Sequence, residues 1–573
     1  MRHSRRFSRP IFWLIPWVLF TVQFSAFALQ NQWTGAAGDN SWFNSTNWSL
    51  GVLPDATQDV LIEQTGTNSV FVGNLAEVNS LTLGGAIGTA SLYITNGGLS
   101  CDNSSIIHTN GSLYMLGGSG VVIRNGSFTL EGTSYWTGGA FQTFGTSTFD
   151  ITASGVLSIG AVELVAGSFN NYGQFVLQHD FLLTQTYPPT LPSSFNNYGS
   201  ILVPTNTGPV TFQTGSALTN YGTIRADTNS TLSLVIPSFV SGIYLSDGTI
   251  FDGNGTVQVS CYFTIECAGH ITVNCTLQFN DNADGPSYLS GSGLFKWHSG
   301  LNNFTFGPDF HVEIAGGGGP GFSGSCTNQG VIRWPTAGYL LTGFGNTTAF
   351  YNEGRFSIGT NSFWDPGITL FNQPGGTLQI LSGTSTLQTL TNRGMFDFEG
   401  GTLNIQNLAI ADGGGTYQAT LSGYDPGIGF GQTSASSMAI GNSLVVTLTN
   451  GFVPTNGSSF TLASASTLTG QFSSLTLPAL SGNLAWHVRY GSGALKLLVA
   501  PPLTVTNASV LPDGTFQLDI AGPPADAYDI QTSTNLLDWQ TVETNSPFSG
   551  SLIFNDTNAT QFNQRFYRTR IFY

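Results

Sequence analysis

Apolar and polar residues alternate in short runs along most of the chain, and turn residues separate the runs. One seven-residue pattern occurs almost unchanged as FNNYGQF at 169–175 and as FNNYGSI at 195–201. It places an apolar residue two positions before an Asn, then a Gly, then apolar residues two and four positions after that Gly. Period-two alternation predicts strands with one inward face, and the Asn-x-Gly segment predicts a tight corner between two strands.

The pattern is an internal repeat. Its corner glycines, including weaker copies, follow one another at intervals of 18 to 38 residues: Gly173, Gly199, Gly222, Gly255, Gly293, Gly330, Gly354, Gly376 and Gly394. A unit of this size holds two or three short strands and cannot bury its own apolar face, so neighbouring units must stack. The spacing predicts a parallel β-helix with like residues above one another. A β-sandwich with recurrent Asn-Gly turns is the alternative.

The first 28 residues predict an export signal. MRHSRRFSRP is basic, IFWLIPWVLF is apolar, and Ala26-Phe27-Ala28 matches an A-x-A cleavage site, so cleavage is expected after Ala28. A single membrane anchor is the alternative, but the apolar run is short and contains Pro16. No later segment is long and apolar enough to span a membrane. We therefore expect Sec-type export to the cell surface or the extracellular space.

Charge and cysteine content narrow the classes of function. Only 8% of residues are charged, against about 25% in typical soluble proteins. Cleavage would remove four arginines and shift the net charge from −16 to −20, which excludes nucleic-acid binding by counterion release. The five cysteines, an odd number, cannot all pair within one chain. Cys261 and Cys267 could pair after export, but the default for most cysteines is a small apolar core residue.

The opening of the predicted mature chain has three tryptophans in sixteen residues. They form the pattern W-x-G-x2-G-x3-W-x4-N-W from Trp33 to Trp48. This pattern resembles the N-terminus of large secreted bacterial proteins with autotransporter-passenger-like β-strand repeats, and NSLTLGG and GSLYMLGGSG resemble the repeats of that family. The resemblance implies a β-solenoid. The tryptophans then predict a cap over its first rung, with an aromatic sugar-binding face as the alternative.

The end of the chain has a different pattern. Residues 411–500 resemble the end of such passenger solenoids, although GFGQTSASSMAIGNSLVV departs from the usual strand there. After Pro501-Pro502, short alternating strands predict a small β-sandwich, which resembles an immunoglobulin- or fibronectin-like domain. The predicted organisation is all-β: signal peptide 1–28, N-terminal cap 29–60, parallel β-helix 61–410, C-terminal end of the solenoid 411–500 and β-sandwich 501–573.

Residues with catalytic chemistry are sparse. DFHVEI places Asp309, His311 and Glu313 on one predicted strand face, where they could bind a metal or perform acid–base chemistry, or form a solvated outer stripe. The acids of DNADG at 281–285 lack the Glu that completes an EF-hand loop. No hydrolase, zinc-protease or phosphate-loop motif occurs. The sequence therefore assigns no catalytic residue, cofactor or metal.

These observations favour an exported, non-catalytic, adhesin-like scaffold. A carbohydrate-binding protein is the alternative, resting on exposed Trp and Tyr, and its partner would be a cell-surface or environmental polysaccharide. A polysaccharide lyase or hydrolase of β-helix fold is a third possibility. Exposure of Trp136, Trp297 and Trp334 would favour the second hypothesis, and convergent carboxylates in a cleft would favour the third.

Overall fold

The structure is a computed structural model. It describes residues 28–144, 147–160, 163–165, 167–184, 194–238, 241–315, 319–342, 348–410, 414–491, 493–523, 527–546 and 548–572. The predicted export signal, except Ala28, lies outside these residues. The described chain is all-β, and its helical segments are the 3-10 turns Ser45–Asn47 and Ala559–Gln561. No helix in these ranges is long and apolar enough to cross a membrane.

The main body is a parallel β-helix, in agreement with the predicted fold class. Its first rungs have three faces, and the bounds of the strands are given face by face. The first face contains Leu29–Gln32, Gln58–Ile62, Ser80–Leu83, Ser105–Ile107, Ser127–Leu130, Thr148–Ile151, Ser168–Asn171, Ser194–Asn197, Ala217–Asn220, Ile243–Leu245 and Ile265–Cys267. The second contains Thr67–Val72, Thr89–Ile94, Gly111–Met115, Thr133–Trp136, Val156–Ile159, Gln174–Leu177, Ser200–Val203, Thr223–Ala226, Ile250–Asp252 and Gly269–Val273.

The third face is continuous along the whole solenoid. Its strands are Leu75–Val78, Gly98–Cys101, Gly120–Ile123, Ala140–Thr143, Glu163–Val165, Phe181–Thr184, Gly208–Thr214, Ser230–Ile236, Thr256–Cys261, Thr276–Phe279, Leu294–Trp297, His311–Ile314, Val331–Trp334, Arg355–Ile358, Thr377–Ile380, Met395–Phe398, Thr416–Leu421, Ser443–Leu448 and Ser474–Thr476. Each pairs in parallel with the next, so this face forms one unbroken sheet.

The first and second faces merge further along the chain. Single strands Ala283–Ser290, Gly300–Phe306 and Gly321–Asn328 cover both faces, with register shifts where the corner has been lost. The faces separate again in Gly338–Thr342 and Thr348–Asn352, and in Ser362–Trp364 and Ile368–Asn372. They then merge in Thr384–Asn392, Thr402–Ile410, Gln432–Ile440 and Ser459–Gly470. The variable rung length therefore reflects gain and loss of one corner.

An antiparallel hairpin covers the last rung. Its strands are Ala485–Gly491 and Ala494–Ala500, and the second pairs antiparallel with Ser459–Gly470. This direction differs from the parallel ladders before it, so the hairpin covers an edge that another rung would otherwise occupy.

Two three-stranded antiparallel sheets follow the hairpin. One contains Thr504–Val510, Phe516–Ala521 and Ser551–Asp556, and the other contains Ala527–Ser533, Gln540–Asn545 and Phe566–Phe572. Leu518, Ile520 and Phe554 of the first sheet share a core with Ile530 of the second. That core is separate from the core of the solenoid. The immunoglobulin or fibronectin type and the domain boundaries remain predictions.

The repeated Asn forms buried amide stacks inside the solenoid. Asn171, Asn197 and Asn220 are register partners on successive rungs. The Nδ2 group of each of the first two donates to the Oδ1 atom of the next at 2.6 Å. A second stack consists of Asn328, Asn352, Asn372 and Asn392, with amide-to-amide distances of 2.6–2.8 Å. Stacking pairs the buried amides with each other, which removes most of the cost of burying them.

The two stacks lie at different corners, which the sequence pattern did not predict. In the first stack the Asn ends a first-face strand, and a second-face strand such as Gln174–Leu177 follows. In the second stack the Asn precedes a third-face strand such as Arg355–Ile358. The copies therefore do not form one vertical series. The interval of 33 residues between Gly222 and Gly255 includes the step from one corner to the other.

The clustered tryptophans lie inside the N-terminal part of the solenoid. Trp33, Trp42 and Trp48 are each no more than 2% exposed, and Trp48 packs edge-on against both of the others. Their indole rings are buried and are not available to a sugar, and the N-terminal cap stays a prediction. All five cysteines are free and buried, and burial raises the pKa of Cys101 and Cys275 to about 12.

Candidate functional site

The third face carries a continuous outward row of polar side chains on neighbouring strands. We call this set the outer row, and its members are Gln278, Lys296, Glu313, Arg333, Ser357, Gln379, Asp397 and Gln418. The flanking positions on each strand point into the core, as alternation requires. On the strand Arg355–Ile358, for example, Phe356 and Ile358 are at most 2% exposed. Neighbouring strands lie about 4.8 Å apart, so members of the row are within reach of one another.

The predicted polar trio is only partly brought together. His311 and Glu313 lie on the outward side of the strand His311–Ile314, while Phe310 and Val312 are buried. Asp309 is instead in the preceding turn, with a left-handed backbone φ of 61°. It therefore does not extend the strand face, because the strand begins only at His311. Asp tolerates this backbone region better than most residues, which explains its presence in the turn.

A hydrogen-bonded network occupies the C-terminal part of the outer row. The Gln379 amide accepts from Arg355 Nη2 at 2.7 Å and from Ser357 Oγ at 3.0 Å. Its Nε2 group donates to Asp397 Oδ2 at 3.0 Å and to Glu399 Oε1 at 2.6 Å. Gln379 thus links a guanidinium group on one side to two carboxylates on the other.

Asp397 is more buried than alternation predicts for an outward residue. Its exposed fraction is 7%, because the stacked side chains of Gln379 and Gln418 cover it and donate to both of its oxygens. Burial raises the pKa of the Asp397 carboxyl above its ordinary value, and the amide donors oppose part of that rise. Burial and the nearby Asp397 charge also raise the pKa of Glu399.

Two connected depressions follow this part of the face. One has a volume of about 400 Å³ and the other of about 610 Å³, and both are lined by His311 and Arg333. We call the larger one the third-face groove; its polar lining comprises His311, Arg333, Arg355, Ser357, Gln379 and Glu399. Gly359 lies in its lining between bulkier side chains. The groove combines positive, negative and amide groups on one open surface.

The tryptophans proposed as exposed sugar platforms are buried. Trp136, Trp297 and Trp334 are at most 1% exposed, so this basis for the carbohydrate-binding hypothesis is lost. Tyrosines do reach the surface: Tyr172, Tyr198 and Tyr221 are 43–49% exposed. Their rings stack on each other at 4.7 and 4.9 Å. Stacking covers the ring faces that a sugar would contact and leaves mainly edges exposed.

Comparison with known proteins adds little to this geometry. Neither a protein-family model nor a curated protein sequence matches the chain. Among solved structures, the Hap adhesin of Haemophilus influenzae is similar over 77% of this chain, at 12% sequence identity and a TM-score of 0.25. The match spans 63% of the Hap chain.

In the described residues, no group of three or more His, Cys, Asp or Glu side chains is placed to hold a metal ion.

Most residues of the groove were missed by sequence reasoning. In the sequence, Arg333 and Gln379 are polar positions between apolar ones, whereas Arg355 and Glu399 each lie between an apolar residue and a Gly. Their common signal is position: each lies at or just after a strand that follows a corner glycine. Aligning the copies from Gly330 to Gly394 by that glycine would have placed these side chains on one face. Only the register shows which rungs are neighbours.

Proposed function

We propose that the protein is an exported, non-catalytic β-solenoid that acts as an adhesin-like scaffold outside the cell or at its surface. One observation carries the proposal: several buried polar side chains of the solenoid bond to their register partners on neighbouring rungs. The buried Asn stacks and the Gln379 network both follow this rule. Such bonding stabilises a long, stiff body, since each rung contacts only its neighbours.

The same network supports a non-catalytic role. A general acid or base must reach the proton that it transfers. Asp397 accepts hydrogen bonds at both oxygens and is almost fully covered. His311 is exposed, but its outward neighbours in register are Leu294 and Val331, which supply no proton-transfer partner. The predicted signal ending at Ala28 and the acidic charge are consistent with export.

Export is tested by expressing the full chain in a bacterial host and sequencing the N-terminus of the secreted protein. The proposal predicts Leu29 as the first residue of material outside the cytoplasm. Full-length protein that remains in the cytoplasm would contradict it.

The non-catalytic role needs a separate assay. Purified protein is incubated with acidic and neutral polysaccharides, and new reducing ends and unsaturated products are measured. The proposal predicts none above the buffer control. Cleavage that disappears when Asp309, His311 and Glu313 are replaced together, with the fold retained by circular dichroism, would establish an enzyme instead.

A further inference from the structure

Four arginines of the solenoid differ in their partners. Arg124 lies within ion-pair distance of Asp102 and Glu77, and Arg225 of Asp227 and Asp252. Arg333 and Arg355, which line the third-face groove, form no ion pair within 4.0 Å in the part of the chain that the structure describes. Two guanidinium groups with no carboxylate within 4.0 Å thus share one groove of an acidic protein.

Their geometry suits an incoming anion. Arg355 is held by Ser357 and Gln379 through Nε and Nη2, so its orientation is fixed while other N–H groups remain unpaired. Arg333 is exposed and makes no side-chain hydrogen bond among the described residues. It is the register partner of Ser357, next to Arg355 on the same face. A planar guanidinium presents paired donors that match the two oxygens of a carboxylate.

The rest of the groove restricts which anion can bind. Glu399 lies in the groove lining, and Glu313 is in the smaller depression that adjoins it. These carboxylates would repel a polymer that carries two or more sulfates on each unit more strongly than a polymer that carries one carboxylate on each unit. They would instead accept hydrogen bonds from hydroxyl groups, as would Gln379. A ligand with carboxylates and hydroxyls on the same chain satisfies both sets of side chains.

We propose that the third-face groove binds a linear polysaccharide that contains uronic acid, with its carboxylates on Arg333 and Arg355 and its hydroxyls on Glu399 and Gln379. The groove is open and continues into the smaller depression toward Asn254, which suits a polymer rather than a small molecule. The inference rests on the proposed adhesin-like role, because it names what such a scaffold would contact.

Binding is measured by isothermal titration of the protein lacking residues 1–28 with oligogalacturonate, and by affinity electrophoresis in polygalacturonate gels. Binding should weaken as salt is raised, because exposed charge pairs are screened. Arg333→Gln should weaken it about tenfold through loss of a charge-assisted pair. Arg225→Gln removes the same charge at an ion-paired site outside the groove and should leave affinity within about twofold. Glu313→Gln should strengthen binding, because Glu313 is the register partner of Arg333 and competes for it.

Three results with the unsubstituted protein would overturn the inference. They are no retardation by polygalacturonate, equal retardation by its fully methyl-esterified form, and tighter binding of dextran sulfate than of polygalacturonate. Equal losses in Arg333→Gln and Arg225→Gln would also do so, since the groove would then have no special role. Circular dichroism melting of each variant checks the fold. Product analysis in the same samples separates the two proposals: cleaved polymer would contradict the non-catalytic role, whereas absent binding would contradict only this inference.

Discussion

The two Asn stacks use the same chemistry at different corners of the solenoid. The first has three members and is flanked in its column by Ile151 and Leu245. The second has four and is flanked by Phe306 and Ile410. In both, the Oδ1 atom of the first Asn accepts from the N–H of its own corner glycine, Gly173 or Gly330. The Asn-x-Gly motif therefore specifies a local corner, and the corner can be placed on either side of the second face.

The flanking residues show what makes a buried amide acceptable. Each column changes directly from apolar side chains to Asn and back again, and every Asn within a stack has an amide on at least one neighbouring rung. The last Asn of the first stack, Asn220, donates to Thr249 Oγ1 and to the Gly222 carbonyl. A buried amide thus occurs where a neighbour or a turn satisfies it, which agrees with the high cost of an unpaired buried polar group.

The largest loss of stability is expected when an Asn replaces an apolar residue in the first column. Leu130 lies between Ile107 and Ile151, and Leu245 lies beside Asn220; both leucines are buried. Leu130→Asn loses apolar burial and gains no amide partner, so it should destabilise by about 4 kcal/mol. Leu245→Asn loses the same burial but can extend the stack and should cost about half as much. Urea unfolding followed by circular dichroism measures both.

Equal destabilisation by the two substitutions would contradict the idea that a neighbouring Asn makes a buried amide tolerable. Leu245→Ala serves as the control, because it removes burial without adding an amide. If Leu245→Asn is less stable than Leu245→Ala, the added amide finds no partner beside Asn220.

The next effect comes from interrupting the second stack. Asn352→Ala leaves the donor of Asn328 and the acceptor of Asn372 without their partner, and it also removes the bond to the Thr377 carbonyl. Each buried group left unsatisfied costs about 1–3 kcal/mol, so we expect a loss of about 3 kcal/mol. Asn392→Ala, at the end of the stack, leaves only one amide neighbour unpaired and should cost less. Hydrogen exchange of the Arg355 and Thr377 amides reports the local opening.

The fold was largely predictable from sequence, and the site was not. The alternation around Asn-x-Gly sets strand phase and corner, since Phe356 and Ile358 must be buried once their strand forms. The burial of Trp33, Trp42 and Trp48 is compatible with the predicted N-terminal cap, which stays a prediction. The number of faces in each rung decides which residues become neighbours on successive rungs. The merging of two faces in Ala283–Ser290 leaves no simple pattern in the sequence that would predict it. The groove residues meet only through that register, so their grouping required the structure.

A smaller effect concerns pH and the second stack, whose last rungs carry the buried carboxyl of Asp397. Its pKa is raised by burial, so the folded state binds a proton more tightly than the unfolded chain does. Stability should therefore fall as pH rises from the ordinary carboxyl pKa through the raised pKa. Thermal melting between pH 4 and 7 measures this dependence. Asp397→Asn should flatten it, whereas Asp180→Asn, away from the network, should not; an unchanged profile in Asp397→Asn would assign the effect elsewhere.

The smallest predicted effect comes from replacing a residue that follows the Asn in the first stack with the type found at that position in the second. After each Asn, the first stack has the exposed, mutually stacked Tyr172, Tyr198 and Tyr221. The second has Gln329, Glu353, Gln373 and Arg393 at the same positions. Tyr198→Gln removes two ring contacts on the surface but leaves the buried amide of Asn197 in place. Because aromatic pairs contribute about 0.5–1.5 kcal/mol and these rings are half exposed, we expect a loss of about 0.5 kcal/mol. Tyr244→Gln, which lies outside this tyrosine stack, is the control. A loss as large as that of Asn352→Ala would mean that the rings, and not the amides, hold the first corner together.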